Sequence, residues 1–413
     1  MGVSIWEGSK AQGVLDLLEA QNHLISHQNA AIDLLASDKR ASFVTDVSTV
    51  AELCKSGEIL EVMDYGDQIT PAWSEGAANY NPAFNLCHES DELLEDGETI
   101  HGAFWEWDRT TPTGVPFDEP EAIYYFDGTE GSGNKYIEIK KTYGNGWIVG
   151  KAIQVSLSEA PDEGDQLVVN CGNNNTNDPT DSRTWSIYAK GSTTAKQTGT
   201  TSNGTSGTKL GETDSTSEHK TNGRVNALSR VVYGYNRWSQ SALRQRLNSA
   251  GDAGTWWAPQ NNWDRPPAVA ATLDGFLKGY EESIWRHFKP IKVVTVAANA
   301  DNNVEDVTYD RVFLSSLEQM YCVPQFSGKE GAYWEYYKRL LGRTAPAPTS
   351  QTYARLIKYG LATGSTLSAQ YCFRRSAVRH STYGVWYVNA SGFVTAYGAY
   401  NAVRCAPSVF LSE

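Results

Sequence analysis

The amino-acid sequence predicts an α+β protein of several domains, and three observations carry that expectation. Apolar residues recur by four and three over residues 14–35, the pattern of a helix with one apolar face. From residue 58 the period changes to two, with Gly, Asn, Asp and Pro punctuating short runs at roughly ten-residue intervals. After residue 224 helical and extended patterns mix, and from Tyr371 the chain returns to strands. With 413 residues, 40% apolar and 20% charged, it is long enough for two or three domains and too apolar to be disordered.

Taken in order, residues 1–56 form a helical segment assigned to attachment or oligomerisation. Val14, Leu18, Gln21, Ile25, Gln28, Ile32 and Leu35 make a heptad seam, and Leu17, Leu24 and Ala31 widen it beyond a two-stranded coil. The seam reads either as self-association or as an amphipathic helix lying on its own domain. A second, short helix is expected from Thr49, with Glu52 completing a capping box and Gly57 stopping it. Residues 57–190 read as a β-sandwich, with strands at 58–63, 122–126, 135–139, 147–149, 153–157, 166–169 and 185–188. Residues 191–223 lack aromatics and hold Leu210 as their one large aliphatic, so they read as a flexible linker or exposed loop. In 224–413, Ser239 is the expected N-cap of a helix over 240–248, with Trp238 and Leu243 as its hydrophobic staple. Further helices are expected around 273–288 and 332–341, then strands at 385–389, 393–396 and 403–411 with a turn at Ser391-Gly392.

Charge narrows the partners. Residues 1–100 hold 18 acidic and 4 basic side chains, a net of −14, and the other 313 residues sum to +1. No basic patch accompanies the aromatics, so nucleic acid is not an expected partner. No apolar run reaches membrane-spanning length, mean hydropathy is −0.45, and membrane insertion is not expected. The opening residues lack a basic stretch followed by an apolar one, so the usual export route is not expected either. Thirteen Trp and 22 Tyr suit either a large core or recognition of other surfaces. The six cysteines form no C-x-x-C and stand away from metal-ligand spacing with His, which disfavours structural zinc and leaves disulfides open.

Candidate chemistry is sparse. Glu106 and Asp108 lie two apart and would share a strand face, a pairing known from glycoside hydrolysis but also from any solvated strand, and the solvated face is the expectation. Asp301, Asn303 and Glu305 begin like a calcium loop, which fails at Asp306 and Val312, so a polar turn is expected. Asn262-Trp263-Asp264 resembles a lectin triplet in the wrong order and is set aside. The glycine run at 128–135 lacks the phosphate-loop pattern, and no nucleophile–base signature occurs. No catalytic residue, metal ligand or cofactor is assigned.

The tail differs. From Arg374 to Cys405 there is no Lys, Gln, Glu, Asp or Met. Two irregular clusters, 377–383 and 396–401, are framed by regular strand sequences. Loops rich in Tyr, His, Arg, Asn and Ser on a strand framework have the composition of a paratope.

At these residues a family resemblance enters. Residues 235–245 (YNRWSQSALRQ), 256–260 (WWAPQ) and 308–318 (TYDRVFLSSLE), with Arg375-Ser376, Val385-Trp386-Tyr387-Val388 and Val403-Arg404-Cys405-Ala406-Pro407, resemble phage-associated variable proteins of diversity-generating retroelements. The resemblance is specific over 226–413 and fainter over 57–190, where LEDGETIHGAFWEWDRTTPTGVPFD carries it. It implies a C-terminal C-type-lectin-like fold of the formylglycine-generating-enzyme type over 224–413, displaying side chains diversified by adenine mutagenesis. Such codons do not yield Lys, Gln, Glu, Met or Trp, and neither cluster contains any of these. The ligand-binding residues implied are Arg379, His380, Ser381, Thr382, Tyr383, Tyr397, Ala399, Tyr400 and Asn401, with Trp386 and Val388 in the core. The enzyme branch of that fold uses a cysteine pair for copper-dependent oxidation, and Cys322, Cys372 and Cys405 do not fall on its motif, so the site reads as binding and not catalysis. The resemblance thus implies a receptor-binding adhesin of a phage virion, at the tail tip or fibre, assembled in the host cytoplasm. It would be a homotrimer, joined to other virion proteins through its N-terminal region and bound to a host cell-surface protein or glycan. A carbohydrate-active or oxidase-type enzyme on the same fold and a bacterial cell-surface binding protein stand as alternatives.

Overall fold

The computed structural model describes residues 46–140, 150–171, 182–213, 224–326, 328–361 and 367–413, together with Gln21. The heptad helix over 14–35 (Gln21 excepted), the strand expected at 147–149 and residues 214–223 of the expected linker lie outside them. The chain is α+β and mostly sheet, built around two hydrophobic cores. The larger gathers residues between Val47 and Phe117 and between Trp238 and Leu411. The smaller gathers residues between Ile123 and Tyr233.

Two five-stranded sheets form the main body. One has the order Gln68–Ile69, Phe84–Leu93, Thr99–Trp107, Ser408–Leu411 and Val312–Phe313. Thr99–Trp107 is buried at its last six positions, because neighbours flank it on both edges and both faces are covered. The other sheet runs Val394–Gly398, Gly384–Val388, Cys372–Ala377, Ala402–Cys405 and Val115–Pro116. Here too the strands Cys372–Ala377 and Gly384–Val388 are buried throughout. Most of the tryptophan serves this interior: Trp73, Trp105, Trp107, Trp238 and Trp334 are among its largest fully buried side chains. Trp73 meets Trp107 edge-on at 5.0 Å between ring centroids, an arrangement aromatic quadrupoles favour.

The smaller unit is inserted between Phe117 and Trp238, whose rings lie 5.9 Å apart. It consists of two four-stranded sheets over one core, Ser202–Asn203, Ala152–Leu157, Gly133–Ile139, Thr208–Thr213 and Ala195–Thr200, Thr184–Tyr188, Gln166–Val169, Tyr124–Tyr125. Inward positions alternate with outward ones along Gly133–Ile139 and Thr184–Tyr188, as a period of two requires.

Several sequence expectations need correction. The expected sandwich over 57–190 is displaced, because residues 68–117 belong to the main body, where Thr99–Trp107 pairs with Ser408–Leu411 and Val115–Pro116 with Ala402–Cys405. The expected linker at 191–223 contains three strands within its described part, 191–213. Two of them pair far away in sequence, Ser202–Asn203 with Ala152–Leu157 and Thr208–Thr213 with Gly133–Ile139, while Ala195–Thr200 makes a hairpin with Thr184–Tyr188, where a Cβ at Gly199 would lie 2.6 Å from Trp185. Residues 59–62 are a helical turn and not a strand. Helix Val47–Ser56 begins at Asp46, which caps Ser48 N, instead of at Thr49, while Gly57 ends it in the left-handed conformation as expected. Ser241, and not Ser239, caps helix Ala242–Leu247. Residues 273–288 hold two short helical turns, Phe276–Gly279 and Glu282–Trp285. Ala406-Pro407 splits the expected strand 403–411 into Ala402–Cys405 and Ser408–Leu411, which join different sheets. No helix among the described residues is long and apolar enough to cross a membrane.

Candidate binding surface

Side chains and backbone of residues 238–244, 310–317 and 374–376 meet in space as a largely buried polar frame. Asp310, fully buried, accepts hydrogen bonds from Trp238 Nε1 at 2.8 Å and Arg244 Nε at 2.7 Å. Arg374 Nη1 donates to Ser315 Oγ at 2.7 Å, Arg375 Nη1 to Leu314 O at 2.6 Å, and Leu317 N to Ser376 Oγ at 3.0 Å. These bonds tie strand Cys372–Ala377 to residues 314–317, so the chain emerging at Val378 starts from a fixed base.

Both clusters lie at one end of the second sheet, because Gly384 and Gly398 are cross-strand partners. Cluster 377–383 forms a loop closed by Ser381 N to Val378 O and held from the side by Asn236. Asn236 Nδ2 donates to Ser381 O and to Gly384 O, each at 2.7 Å. Arg379 and His380 project from it, fully among the exposed residues, beside the turn at 299–303. Asn299 binds both: Arg379 Nε donates to its Oδ1 at 3.2 Å, and its Nδ2 lies 3.1 Å from His380 Nδ1. The expected polar turn is there, with Asn302 and Asn303 left-handed, a conformation Asn tolerates.

In the second cluster, Tyr397 is 37% exposed and meets Tyr371 edge-on at 6.2 Å and the tilted ring of Tyr387 at 5.2 Å. Tyr371, Tyr397, Asn401 and Arg404 line an open groove of about 490 Å³. Tyr383 and Tyr400 are half-buried, packing on Tyr233 of the inserted unit at 4.7 and 5.7 Å. Tyr400 also lines a second groove, with Tyr188, Val231 and Arg265, between the inserted unit and the body.

Of the nine residues expected to bind ligand, Arg379, His380, Ser381, Tyr383, Tyr397, Tyr400 and Asn401 are exposed or half-buried. Thr382 and Ala399 are corrections: both are fully buried and cannot touch a ligand. Thr382 Oγ1 lies 3.1 Å from Ser229 Oγ, and Ala399 N donates to Tyr383 O, so both residues hold the loops in place. Trp386 and Val388 are buried as expected. Sequence reasoning missed Tyr371, Arg404, Asn236 and Tyr233, which come to the clusters only through sheet pairing and the packing of the inserted unit.

Glu106 corrects another expectation, that of a solvated strand face. It is fully buried, 2.9 Å from Lys358 Nζ and 3.4 Å from Arg374 Nη1, and accepts from Ser408 Oγ and from the Tyr337 hydroxyl. Burial pushes its pKa up, but Lys358 and Arg374 outweigh that and hold it down at about 2. Asp108 stands beyond the strand end, paired with Arg109. Cys54, Cys87, Cys322, Cys372 and Cys405 are buried free thiols, and burial pushes Cys54, Cys322 and Cys405 up to about 12. The one grouping of carboxylates suited to a metal ion among the described residues is Asp118, Glu121 and Asp264. Comparison with protein-family models, curated proteins and solved structures finds no match for this chain.

Proposed function

We propose that the chain is a ligand-binding adhesin of a phage virion, presenting a diversified surface on a C-terminal C-type-lectin-like domain. The observation that carries the reading is the separation of roles around residues 377–401. Fully buried strands and a polar frame lie beneath, Arg379 and His380 stand out on a loop held by Asn236, and Tyr397 stands near the end of strand Val394–Gly398, just before Tyr400, whose N–H donates to Tyr233 O. Such a frame accepts side-chain replacement at the tips without loss of packing. Tyrosine offers rigid amphipathic contact area, arginine a forked donor, and asparagine and serine adaptable hydrogen bonds. The ligand is a host cell-surface protein or glycan, and the site binds without catalysing. The N-terminal segment joins the protein to the virion as a homotrimer, which raises weak single-site binding by avidity.

The test is adhesion of the labelled full-length protein to intact cells of a panel of bacterial strains. The wild type binds at least one strain, and the double variant Arg379→Ala/Tyr397→Ala loses ten-fold or more while keeping its circular dichroism and melting temperature. Equal binding by the folded double variant overturns the assignment of the surface. A near-copy of codons 377–401 in the flanking DNA, differing at adenines and beside a reverse-transcriptase gene, is the further expectation for diversification.

A further inference from the structure

Three carboxylates converge where the chain passes between the two cores. Asp118 and Glu121 lie on the outgoing crossing and Asp264 in the loop 260–264, and they are 3%, 1% and 2% exposed. Each brings an oxygen within 4.8 Å of the others. Three like charges so close and out of water repel strongly unless positive charge or a proton is placed among them. Arg230 supplies one such charge: its Nη2 lies 2.5 Å from Glu121 Oε1, and its guanidinium covers the Tyr235 ring at 3.6 Å. Glu121 is thereby paired, whereas Asp118 and Asp264 form no ion pair among the described residues.

Hydrogen bonding leaves the same remainder. Glu121 accepts from Arg230 on one oxygen and from Asn226 Nδ2 on the other. Asp264 Oδ2 accepts the backbone N–H groups of Gln260 and Asn261, while Asn261 Oδ1 accepts those of Trp263 and Asp264, so the loop holds the carboxylate in a set direction. Asp264 Oδ1 and Asp118 Oδ2 are buried with no hydrogen-bond partner among the described residues. Buried polar atoms are rarely left so.

We infer that Asp118, Glu121 and Asp264 bind a hard divalent cation of the Ca²⁺ or Mg²⁺ type. All three donors are carboxylate oxygens, which such ions prefer, and the group has no thiolate or imidazole to favour zinc or copper. A divalent charge would balance Asp118 and Asp264 once both are ionised, displacing the protons by which so close a buried pair otherwise relieves its repulsion. Its consequence reaches the binding surface, because Asp118 N donates to Ala399 O at 3.2 Å and a Cβ at Gly234 would lie 2.4 Å from Asp118 O. The ion therefore braces the crossing that supports Tyr400 and Asn401 and joins the inserted unit to the body. This inference does not depend on the adhesin reading.

The experiment uses the full-length protein, stripped with EDTA and dialysed. It is titrated with CaCl₂ and, separately, with MgCl₂ by calorimetry, and its melting temperature is followed in parallel. One site per chain and a melting temperature raised by several degrees at saturation are expected for at least one of the two ions. Asp118→Asn and Asp264→Asn should each weaken binding at least ten-fold. Each should also melt at or above the wild type in EDTA, because repulsion is relieved, and below it with saturating ion. That reversal of order separates an ion site from a merely structural role. No heat and no change in melting with either ion overturns the proposal, as does undiminished binding by the double variant Asp118→Asn/Asp264→Asn.

Discussion

At Glu106 a single carboxylate is the shared partner of Lys358 and Arg374 inside the main sheet, so its removal leaves two buried cations without an anion. Glu106→Gln should cost about 3–5 kcal/mol of unfolding free energy at pH 7, measured by urea denaturation. The acid side follows from the same geometry. The folded carboxyl titrates near 2, below its usual value of 4.5, so its contribution is present above about pH 4.5 and is lost as pH falls toward 2. A urea midpoint that holds steady from pH 5 to pH 2.5 would contradict this. The same residue shows why a sequence pair misleads: Glu106 and Asp108 are two positions apart, yet one is sealed between sheets and the other lies past the strand end.

At the scale of one element, the loop 378–384 depends on Asn236. Its side chain bonds two loop carbonyls, and its own N–H bonds a third, Thr382 O at 2.9 Å. Asn236→Ala keeps the backbone bond, strands the carbonyl of Ser381 and leaves Gly384 O with Val378 N as its donor, for an expected loss of about 1–3 kcal/mol. Hydrogen exchange should quicken at residues 378–384 with little change in strand Thr99–Trp107; uniform protection across both would refute the role. The turn at Gly392 is equally specified. Its φ is +83°, and a Cβ there would sit 2.4 Å from Tyr353 O. Gly392→Ala should therefore lower the melting temperature, where an exposed-loop substitution would not.

Across the whole molecule, strand Ser408–Leu411 is internal to the first sheet. Ser408–Leu411 lies between Thr99–Trp107 and Val312–Phe313, so ending the chain at Pro407 bares one edge of the central strand and detaches Val312–Phe313 from the sheet. The truncated protein should lose cooperative unfolding by circular dichroism; retention of a sharp transition would show that the sheet closes without it. The inserted unit is different, because its own core is separate and its two connections begin side by side at Phe117 and Trp238. Replacing residues 120–235 with a short Gly-Ser linker should leave a cooperatively folding body whose loops at 378–384 and 396–401 exchange faster, having lost Tyr233 as their platform.

The residues themselves determined a good deal about this protein. The α+β character, the strands at 135–139, 153–157, 166–169 and 185–188, the stop at Gly57, the polar turn near 301 and the burial of Trp386 and Val388 all follow from local period and turn chemistry. Seven of the nine expected surface residues were also legible, since irregular polar and aromatic runs between strands end up at strand ends. Tertiary structure decided the rest. Only long-range pairing takes residues 68–117 out of the sandwich and turns 202–203 and 208–213 into strands, because an unpaired strand edge has no local signature. Only packing buries Thr382 and Ala399 beneath their neighbours. And only the crossing between two cores brings Asp118 and Glu121 to Asp264, more than a hundred residues away, because like charges assemble where the fold forces them together and never through local preference.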